Sequence, residues 1–460
     1  MARRRSTARG DGDASRTEVP EDEERRIHAE YRQSLYFLRK MQGAYGRFVP
    51  RDFLKLLGAE DILNVRLGDE VEKKITVMFS DIRDFTTLSE TMTSRQVFEF
   101  LNDYLSHMEP AVQGHGGIVD KYIGDAVMAL FPDRADDAVK AAIAMRDALR
   151  SYNQGRRRSG QPPIETGIGL NTGLTTLGIL GHLERMESTI IGDAVNVAQR
   201  IEGLTKIYRA AVLISEDTLA ALNNAQDFSI RFVDRVRVKG RARPISIYEV
   251  FDGDHPDLAR AKLENVDQFE NAVAYYHLRE VDKALPLFEA CKAAARDDSV
   301  VEVYLDRCRR FLDDGTFEGP GELLDHLEWR EAYDTKIEEI DTQHRVLLEN
   351  INALSAAIKT DDVARIDAVF AFIERYCIEH FRMEGAYMRK YAYPFAAEHG
   401  QEHAAFIRAF ARTREEAVSG RRNRLLSLFR INLFLYDWLI SHSTRIDKHL
   451  ATFIRAQGGH

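Results

Sequence analysis

The 460-residue sequence has little of what marks secreted, membrane-spanning or nucleic-acid-binding proteins. It has three cysteines, far apart and without a CxxC spacing, which predicts reduced structural thiols and neither a disulfide framework nor a zinc site. No run approaches the roughly 20 apolar residues of a membrane helix, and the start lacks the apolar core of a signal peptide. Acidic residues outnumber basic ones, 73 to 64, with no large basic block. We therefore expect a cytoplasmic protein that binds neither nucleic acid nor a membrane.

The length of the chain and its 44% hydrophobic content predict several domains. Residues 1–26 are polar and predict a disordered tail, and an apolar stripe predicts a helical segment in 27–69 that either dimerises or lies on the neighbouring domain. Residues 253–320 predict a helical connector, either plain or of the tetratricopeptide type, that ends in a glycine-rich linker. Residues 321–460 predict a four-helix bundle. Its helical patterns cover residues 341–358, 362–391, 395–417 and 421–454.

The segment 70–252 alternates strand and helix patterns and predicts an α/β domain. Asp81 ends the apolar run KITVMFSDI, and Asp125 belongs to the turn of a predicted hairpin, IVDKYIGDAVMALF, over 118–131. Neighbouring strands can bring the two carboxylates together, and a pair of Mg²⁺ or Mn²⁺ ions can relieve their repulsion. Ordinary turn aspartates are the alternative interpretation.

Four segments in this domain carry a family resemblance. FSDIRDFTTLSE, GGIVDKYIGDAVMALF, IGLNTGLTTLGILG and STIIGDAVNVAQRIE resemble, in this order, the class III nucleotide cyclase catalytic domain. The resemblance implies a ferredoxin-like fold and a homodimer with two equivalent sites, in which Asp81 and Asp125 hold two Mg²⁺ or Mn²⁺ ions. It also implies attack of the ribose 3′-hydroxyl of ATP on the α-phosphorus, giving 3′,5′-cyclic AMP and pyrophosphate.

The same resemblance implies roles for five further residues. Lys121 resembles the adenine-reading lysine, where guanine-selective members carry an acid, and Thr189 resembles the second base-reading threonine of many bacterial adenylate cyclases. Asn196 would orient the ribose, and Arg200 would bind the α-phosphate with its fixed fork of donors. Lys239 resembles the lysine that grips the triphosphate, although two arginines lie close to it. Taken singly, Lys121, Asn196 and Arg200 also fit ordinary solvated positions.

The last domain contains five histidines and two carboxylates at ligand-like spacings. Residues four apart share a helix face, but the five-residue step from His442 to Asp447 requires a long reach or a π-bulge. A lone buried histidine is usually a core residue. Five histidines and two carboxylates on four helices instead predict a metal site. The set is His344, His380, Glu384, His399, His403, His442 and Asp447.

Together with Trp329 and the run IDTQHRVL, this set resembles hemerythrin over about residues 323–456. The resemblance implies two non-haem irons bridged by Glu384 and Asp447 and by an oxo or hydroxo group. One iron would have three histidines and the other two, which leaves a position for O₂ or NO. The three-histidine iron would be held by His399, His403 and His442, and the other by His344 and His380.

The sequence thus predicts a multi-domain α/β plus all-α protein, an adenylate cyclase regulated by O₂ or redox state. The regulatory coupling is a hypothesis, because only the fusion of the two domains motivates it. Three alternatives remain open. They are an oxygen-binding or iron-storing protein with the cyclase domain as a dimerising scaffold, a guanylate cyclase, and a sensor of NO.

Overall fold

The computed structural model describes residues 21–45, 51–58, 62–182, 184–237, 244–317, 328–418 and 423–458. Its strands are β1 (Glu70–Ile82), β2 (Ile118–Ile123), β3 (Ala126–Phe131), β4 (Thr166–His182), β5 (Arg185–Ile191), β6 (Val212–Ser215), β7 (Ile230–Val236) and β8 (Ile245–Val250). The helices up to the end of the sheet are α1 (Glu21–Tyr45), α2 (Arg51–Leu56), α3 (Phe85–Glu90), α4 (Ser94–Gln113), α5 (Ala135–Arg158), α6 (Asp193–Tyr208) and α7 (Glu216–Ala221). The later helices are α8 (Pro256–Glu264), α9 (Val266–His277), α10 (Val281–Ala294), α11 (Ser299–Asp314), α12 (Glu338–Thr360), α13 (Val363–Lys390), α14 (Ala396–Val418), α15 (Arg424–Ser441) and α16 (Lys448–Ala456).

An eight-stranded sheet forms the centre of the α/β domain, in the order β2-β3-β1-β4-β6-β8-β7, with β5 paired to β4. Of these pairs only β4 and β6 are parallel. The predicted hairpin of β2 and β3 is confirmed, and Gly124 supplies the positive φ of its two-residue turn. Because β3 pairs with β1, the hairpin turn lies beside the end of β1. This register places Asp81 next to Asp125.

Alternate residues of β1 face two apolar layers. Met78 packs into the layer that α4, α5 and α6 cover, whereas Val77 and Phe79 pack on the other face of the sheet, together with Phe53 of α2. Helix α6 lies very close to β4, since a Cβ added at Gly169 would be 2.2 Å from a backbone nitrogen of α6. The sheet therefore fixes the position of α6.

Helices α8 to α11 form the connector, which confirms its predicted helical character. A buried ionic cluster joins it to the edge of the sheet: Arg231 of β7 donates to Asp298 at 2.6 and 2.8 Å and to Glu249 of β8 at 2.6 Å. Lys262 of α8 donates to Glu249 at 2.8 Å. All four side chains are buried, so the opposite charges compensate one another inside the protein.

The four predicted helical patterns of the last domain correspond to α12, α13, α14 and the α15–α16 pair. A π-helical segment, His442–Asp447, separates α15 from α16. For the five-residue step from His442 to Asp447, the sequence predicts either a long side-chain reach or a π-bulge. The structure has the π-helical form. The bundle core includes Ile351, Phe370 and Leu435.

Helix α1 starts earlier than predicted, and its apolar stripe is more exposed than one of the two predictions requires. It begins at Glu21, so residues 21–26 of the predicted tail are helical, because acidic residues favour a helix N-terminus and these residues are good helix formers. Residues 1–20 lie outside the described residues. Tyr31, Leu35 and Leu38 are exposed, which contradicts packing of this stripe on the neighbouring domain; dimerisation stays a prediction.

The three cysteines are buried and unpaired, in agreement with the predicted thiols. Among the helices of the described residues, none has both the length and the apolar character needed to cross a bilayer.

Candidate functional site

The candidate nucleotide site begins at the end of β1 and the neighbouring hairpin turn. The carboxylates of Asp81 and Asp125 lie close enough to share a hydrogen bond, and the Ile82 backbone N–H donates to Asp125 Oδ2 at 3.2 Å. Burial, together with the neighbouring Asp81, raises the pKa of Asp125 to about 7. Two crowded carboxylates at a partly exposed edge, one of which resists ionisation, fit the binding of divalent cations.

Helix α6 adds two residues to this carboxylate pair that the sequence reasoning missed. Lys206 Nζ donates to Asp81 Oδ2 at 3.0 Å, and the half-buried Lys206 lies one turn beyond Glu202. Burial and the charge of Asp81 raise the pKa of Glu202 to about 7, against the opposing effect of Lys206. Their four-residue spacing on α6 was visible in the sequence, but only the fold shows which strand end they face.

Asn196 and Arg200 lie on a different side of the same helix. They are four residues apart, as are Glu202 and Lys206, and at 3.6 residues per turn the two pairs are roughly 120° apart around the helix. Asn196 is exposed and Arg200 is partly exposed. Neither side chain makes a hydrogen bond or ion pair within the part of the chain that the structure describes. Both can therefore act on a group outside this chain.

Two of the three remaining predicted nucleotide residues lie on strands of the sheet. Lys121 lies on β2, a third exposed, with its Nζ 3.4 Å from the buried Asp120 Oδ2. Thr189 lies on β5 opposite Gly178 of β4 and is partly exposed. Lys239 lies outside the described residues, so the structure does not place it.

The seven residues predicted as metal ligands converge in the centre of the bundle. All seven are buried, and their donor atoms form two overlapping groups, in each of which the atoms lie within 4.8 Å of one another. Glu384 belongs to both groups. One group contains Glu384, His399, His403 and His442, and the other contains His344, His380, Glu384 and Asp447.

Individual distances show how closely the ligand atoms approach. Glu384 Oε2 lies 2.9 Å from His403 Nε2 and 3.2 Å from His399 Nε2, while its Oε1 lies 3.2 Å from His380 Nε2. Asp447 connects the remaining two histidines, at 3.1 Å from both His344 Nε2 and His442 Nε2. Each carboxylate thus contacts histidines of both groups.

Neighbouring charges, acting against burial, set the pKa values of the residues in this cluster. Burial opposes ionisation, but the surrounding imidazoles, His380 foremost, hold the pKa of Glu384 well below its usual range. Burial likewise opposes protonation of His442, yet Asp447 and Glu384 raise the pKa of His442 to about 10. His442 and His344 likewise lower the pKa of Asp447, against its burial and the charge of Glu384.

Neighbouring side chains orient the histidine rings. His380 Nδ1 lies 2.8 Å from Gln343 Oε1, which leaves Nε2 directed at Glu384. The ring of Phe381 stacks on His403 at 3.8 Å between centroids, and Trp438 stacks on His442 at 4.4 Å. Sequence reasoning missed Gln343, whose only signal was its position next to His344.

The donor set fits a resident metal centre. His344 Nε2, His380 Nε2 and both oxygens of Asp447 are buried and make no well-oriented hydrogen bond among the described residues, although His344 lies 3.1 Å from Asp447 and His380 lies 3.2 Å from Glu384. Buried polar atoms without partners are costly, and a metal ion satisfies several of them at once. Imidazoles with two carboxylates suit first-row transition metals.

Comparisons with known proteins match both regions of the chain. Residues 68–251 match the adenylate and guanylate cyclase catalytic domain, and residues 335–454 match the hemerythrin HHE cation binding domain.

Among curated relatives, a terminal-differentiation-specific adenylate cyclase of Dictyostelium discoideum is 40% identical over 288 residues, which are 61% of this chain and 13% of that protein. An adenylate cyclase of Anabaena cylindrica is 45% identical over 219 residues, 46% of this chain and 44% of that protein. The chain thus spans less than half the length of either relative.

Among solved structures, the adenylyl cyclase CyaB from P. aeruginosa is 38% identical, covering 41% of this chain and 98% of that chain with a TM-score of 0.37. The two family matches decide the assignment. The chain contains an adenylate and guanylate cyclase catalytic domain followed by a hemerythrin HHE domain.

Proposed function

We propose that the protein is an adenylate cyclase that converts ATP to 3′,5′-cyclic AMP and pyrophosphate under the control of a di-iron centre. The observation that carries the catalytic part is the juxtaposition of Asp81 and Asp125 at a partly exposed strand edge. The names of the relatives from Dictyostelium discoideum and Anabaena cylindrica support the same reaction.

The residues at this edge have complementary tasks. Asp81 and Asp125 would hold two Mg²⁺ or Mn²⁺ ions, and these ions would supply Lewis acidity toward the ribose 3′-hydroxyl and positive charge for the triphosphate. The guanidinium of Arg200 donates to the oxygens of the α-phosphate, where negative charge develops, and Asn196 orients the ribose. Lys239, which lies outside the described residues, is proposed to bind the triphosphate.

Lys121 supports ATP over GTP as the substrate. Adenine presents an acceptor at N1, which an ammonium group can bind, whereas guanine presents an N–H there and needs an acceptor. The hydroxyl of Thr189 can accept a hydrogen bond from the adenine amino group. Replacing Lys121 by Glu should therefore lower the rate with ATP and raise the rate with GTP, which a competition assay with both nucleotides measures.

The active unit is a homodimer. Because Glu202 and Lys206 turn their side of α6 toward Asp81 of the same chain, Asn196 and Arg200 point elsewhere. A second copy would place its own aspartates opposite them. Exposed apolar side chains on the flanking strands, among them Leu174, supply surface that such a copy would cover.

A mixing experiment tests this arrangement. The Asp125→Asn and Arg200→Ala chains are each inactive, but their mixture contains heterodimers with one intact site, so activity returns to about a quarter of the parent value. Two Asp125→Asn preparations mixed together serve as the control and stay inactive. Absence of recovery, with dimers visible in sedimentation, contradicts a site shared between subunits.

The bundle holds two non-haem irons and senses O₂, NO or redox state. Its seven ligand residues and their two overlapping groups support two metals, and the imidazole-rich set favours iron over magnesium or calcium. The decisive test compares cyclic AMP formation from Mn-ATP by the iron-loaded chain, reduced without oxygen and then exposed to O₂. The expected rates differ, and His380→Ala abolishes the difference; a chain that makes no cyclic AMP in either state favours the scaffold alternative.

A further inference from the structure

A buried polar cluster lies where the sheet, the connector and the bundle meet. It consists of Asp234 of β7, His277 of α9, Arg307 of α11 and Tyr208 of α6, hereafter the Asp234 cluster. Arg307 Nη1 donates to Asp234 Oδ2 at 2.9 Å, His277 Nε2 lies 2.8 Å from Asp234 Oδ1, and the Tyr208 hydroxyl donates to Asp234 Oδ2. All four side chains are buried.

The Asp234 cluster must move as a unit. A buried carboxylate that loses one of its partners is strongly destabilised, so the contacts of Asp234 with Tyr208, His277 and Arg307 tie the positions of three helices to β7. Contacts with His277, Arg307 and Tyr208 hold the pKa of Asp234 below its usual range, against the effect of burial, so this carboxylate stays charged across the physiological range. The cluster is therefore a rigid joint.

One arm of this joint is the helix that carries the transition-state residues. Tyr208 is the last residue of α6, eight residues beyond Arg200. Arg307 Nη2 also donates to the Tyr208 hydroxyl at 3.3 Å, and Arg209, the residue that follows α6, forms an ion pair with Glu302 of α11 at 3.3 Å. The C-terminal end of α6 is thus fastened to the connector.

The other arm is helix α15 of the bundle. The ring of Phe429 stacks on His277, with 5.6 Å between centroids and 14° between planes, and contacts Phe232 of β7 edge-on at 6.3 Å. Farther along α15, Asp437 forms an ion pair with Arg235, the residue that follows Asp234. Beside these contacts, residues of the cyclase domain and of the bundle line an open cleft of about 690 Å³.

Helix α15 leads directly to the metal ligands. It continues into the π-helical segment that supplies His442 and Asp447, and Trp438, adjacent to Asp437, stacks on His442. Phe429 lies 13 residues before His442, about 20 Å along the helix axis. A π-helical segment is a common site of adjustment in helix geometry, so a change in the ligand arrangement can displace α15.

We infer that Phe429 and the Asp234 cluster transmit the state of the metal centre to α6, and so set the positions of Asn196 and Arg200. This inference rests on the proposed function. Phe429 and Tyr208 are positioning residues, since both act through α6 and neither touches the nucleotide. The route requires two positions of α15, each favoured by one state of the metal centre.

The first test truncates the aromatic contact in the full iron-loaded chain. Phe429→Leu should reduce the ratio of cyclase rates between reduced and oxidised protein from the parent value, expected at roughly fivefold or more, to nearly one. The matched control is Phe410→Leu, which alters an aromatic residue of the bundle core among Phe370 and Phe406, away from the sheet. It should keep the parent ratio. A Phe429→Leu chain with normal iron absorption and the parent ratio overturns the inference, as does a parent ratio of one.

A second pair of variants addresses the α6 end of the route. Tyr208→Phe removes the hydroxyl from the Asp234 cluster and should lower kcat at an unchanged KM for ATP, together with the regulatory ratio. Tyr304→Phe is the control, because its equally buried hydroxyl donates to the Val233 carbonyl at 2.7 Å instead. Equal effects of the two variants on kcat and ratio would mean a merely structural role and contradict the inference.

The final experiment uses reciprocity and needs no turnover. 3′-Deoxy-ATP with Mn²⁺ binds the nucleotide site but lacks the attacking hydroxyl, and linkage requires that it shift the midpoint potential of the iron centre if the two sites are coupled. We expect a shift in the parent and none in Phe429→Leu. A parent chain that makes cyclic AMP but shows no shift contradicts the inference alone. A shift in a chain that makes no cyclic AMP supports the inference and contradicts the proposed reaction.

Discussion

The two carboxylate clusters of this chain hold negative charge in opposite ways. In the cyclase domain, Asp81 and Asp125 sit at strand ends, partly exposed, with one backbone donor and a half-exposed Lys206 as partners. In the bundle, Glu384 and Asp447 are completely buried among five imidazoles. The first site is open on one side, which suits cations that arrive with a nucleotide, and the second is closed, which suits a resident metal.

The comparison also concerns how many chains each site needs. Every predicted ligand of the bundle comes from one chain, because four helices surround one point. The nucleotide residues divide between two faces of α6 and the sheet edge, so one chain leaves Asn196 and Arg200 facing outward. A resident cofactor favours a self-contained site, whereas a site divided between subunits can respond to their relative position.

The largest expected effect is the loss of iron binding in the buried site of the bundle. Glu384→Ala removes the carboxylate that both ligand groups share, so iron affinity should fall by more than the roughly 100-fold loss typical of an outer-shell residue. Iron per chain after gel filtration measures this. The control is Glu379→Ala, an exposed residue on the same helix, which should retain iron. Full iron content in Glu384→Ala would show that the bundle site does not depend on its central carboxylate.

The second-largest effect should follow a substitution in the nucleotide site, which should lower cyclase activity and leave iron binding unchanged. Asp125→Asn removes a charge from the metal pair, and because bound cations are worth several kcal/mol to the transition state, cyclic AMP formation should fall by about 1000-fold. Asp133→Asn, an exposed residue just after β3, is the control and should be active. If Asp125→Asn instead lost iron, the two sites would not be separate.

The Asp234 cluster should dominate the stability of the boundary between the regions. Asp234→Asn leaves the buried Arg307 without its counter-charge and removes the carboxylate partner of His277, which should cost about 3 kcal/mol in the free energy of unfolding at pH 7. The folded pKa of Asp234 lies below its unfolded value, so its stabilisation is present above about pH 4 and is lost as the pH falls further. Urea unfolding of parent and variant should therefore show a larger difference at pH 5 than near pH 3. A difference that grows on acidification would contradict this.

The smallest effect should come from the exposed ion pair of the open site. Lys206 is half exposed, so Lys206→Ala should change the free energy of unfolding by less than about 1 kcal/mol, although it pairs with Asp81. Thermal unfolding monitored by circular dichroism measures this. A shift as large as that of Asp234→Asn would mean that the open site is as tightly constrained as the buried cluster.

Short-range patterns in the sequence predict much of this architecture. The turn dipeptide Gly124-Asp125 specified the hairpin of β2 and β3, and the four-residue steps from His380 to Glu384 and from His399 to His403 specified shared helix faces. These are short-range geometric consequences of helix and strand periods. The five-residue step from His442 to Asp447 required an irregularity, and the structure supplies it as a π-helical segment.

Other features depended on residues far apart in the sequence. Nothing near Glu202 or Lys206 indicates that they face Asp81, because that contact follows from the close packing of α6 on β4. The start of α1 was misplaced, since a polar, charged segment is compatible with both a tail and a helix.

The sequence by itself determined the two domain types and the residues able to bind metals, because spacing along one helix or strand decides which side chains share a face. Only the tertiary structure decided that β7, α6, α9, α11 and α15 meet around Asp234. Asp234 contacts both Tyr208 and His277, which are 69 residues apart, and His277 contacts Phe429, 152 residues further on. No local period encodes such a meeting. It is set by how the buried surfaces of the three regions fit together.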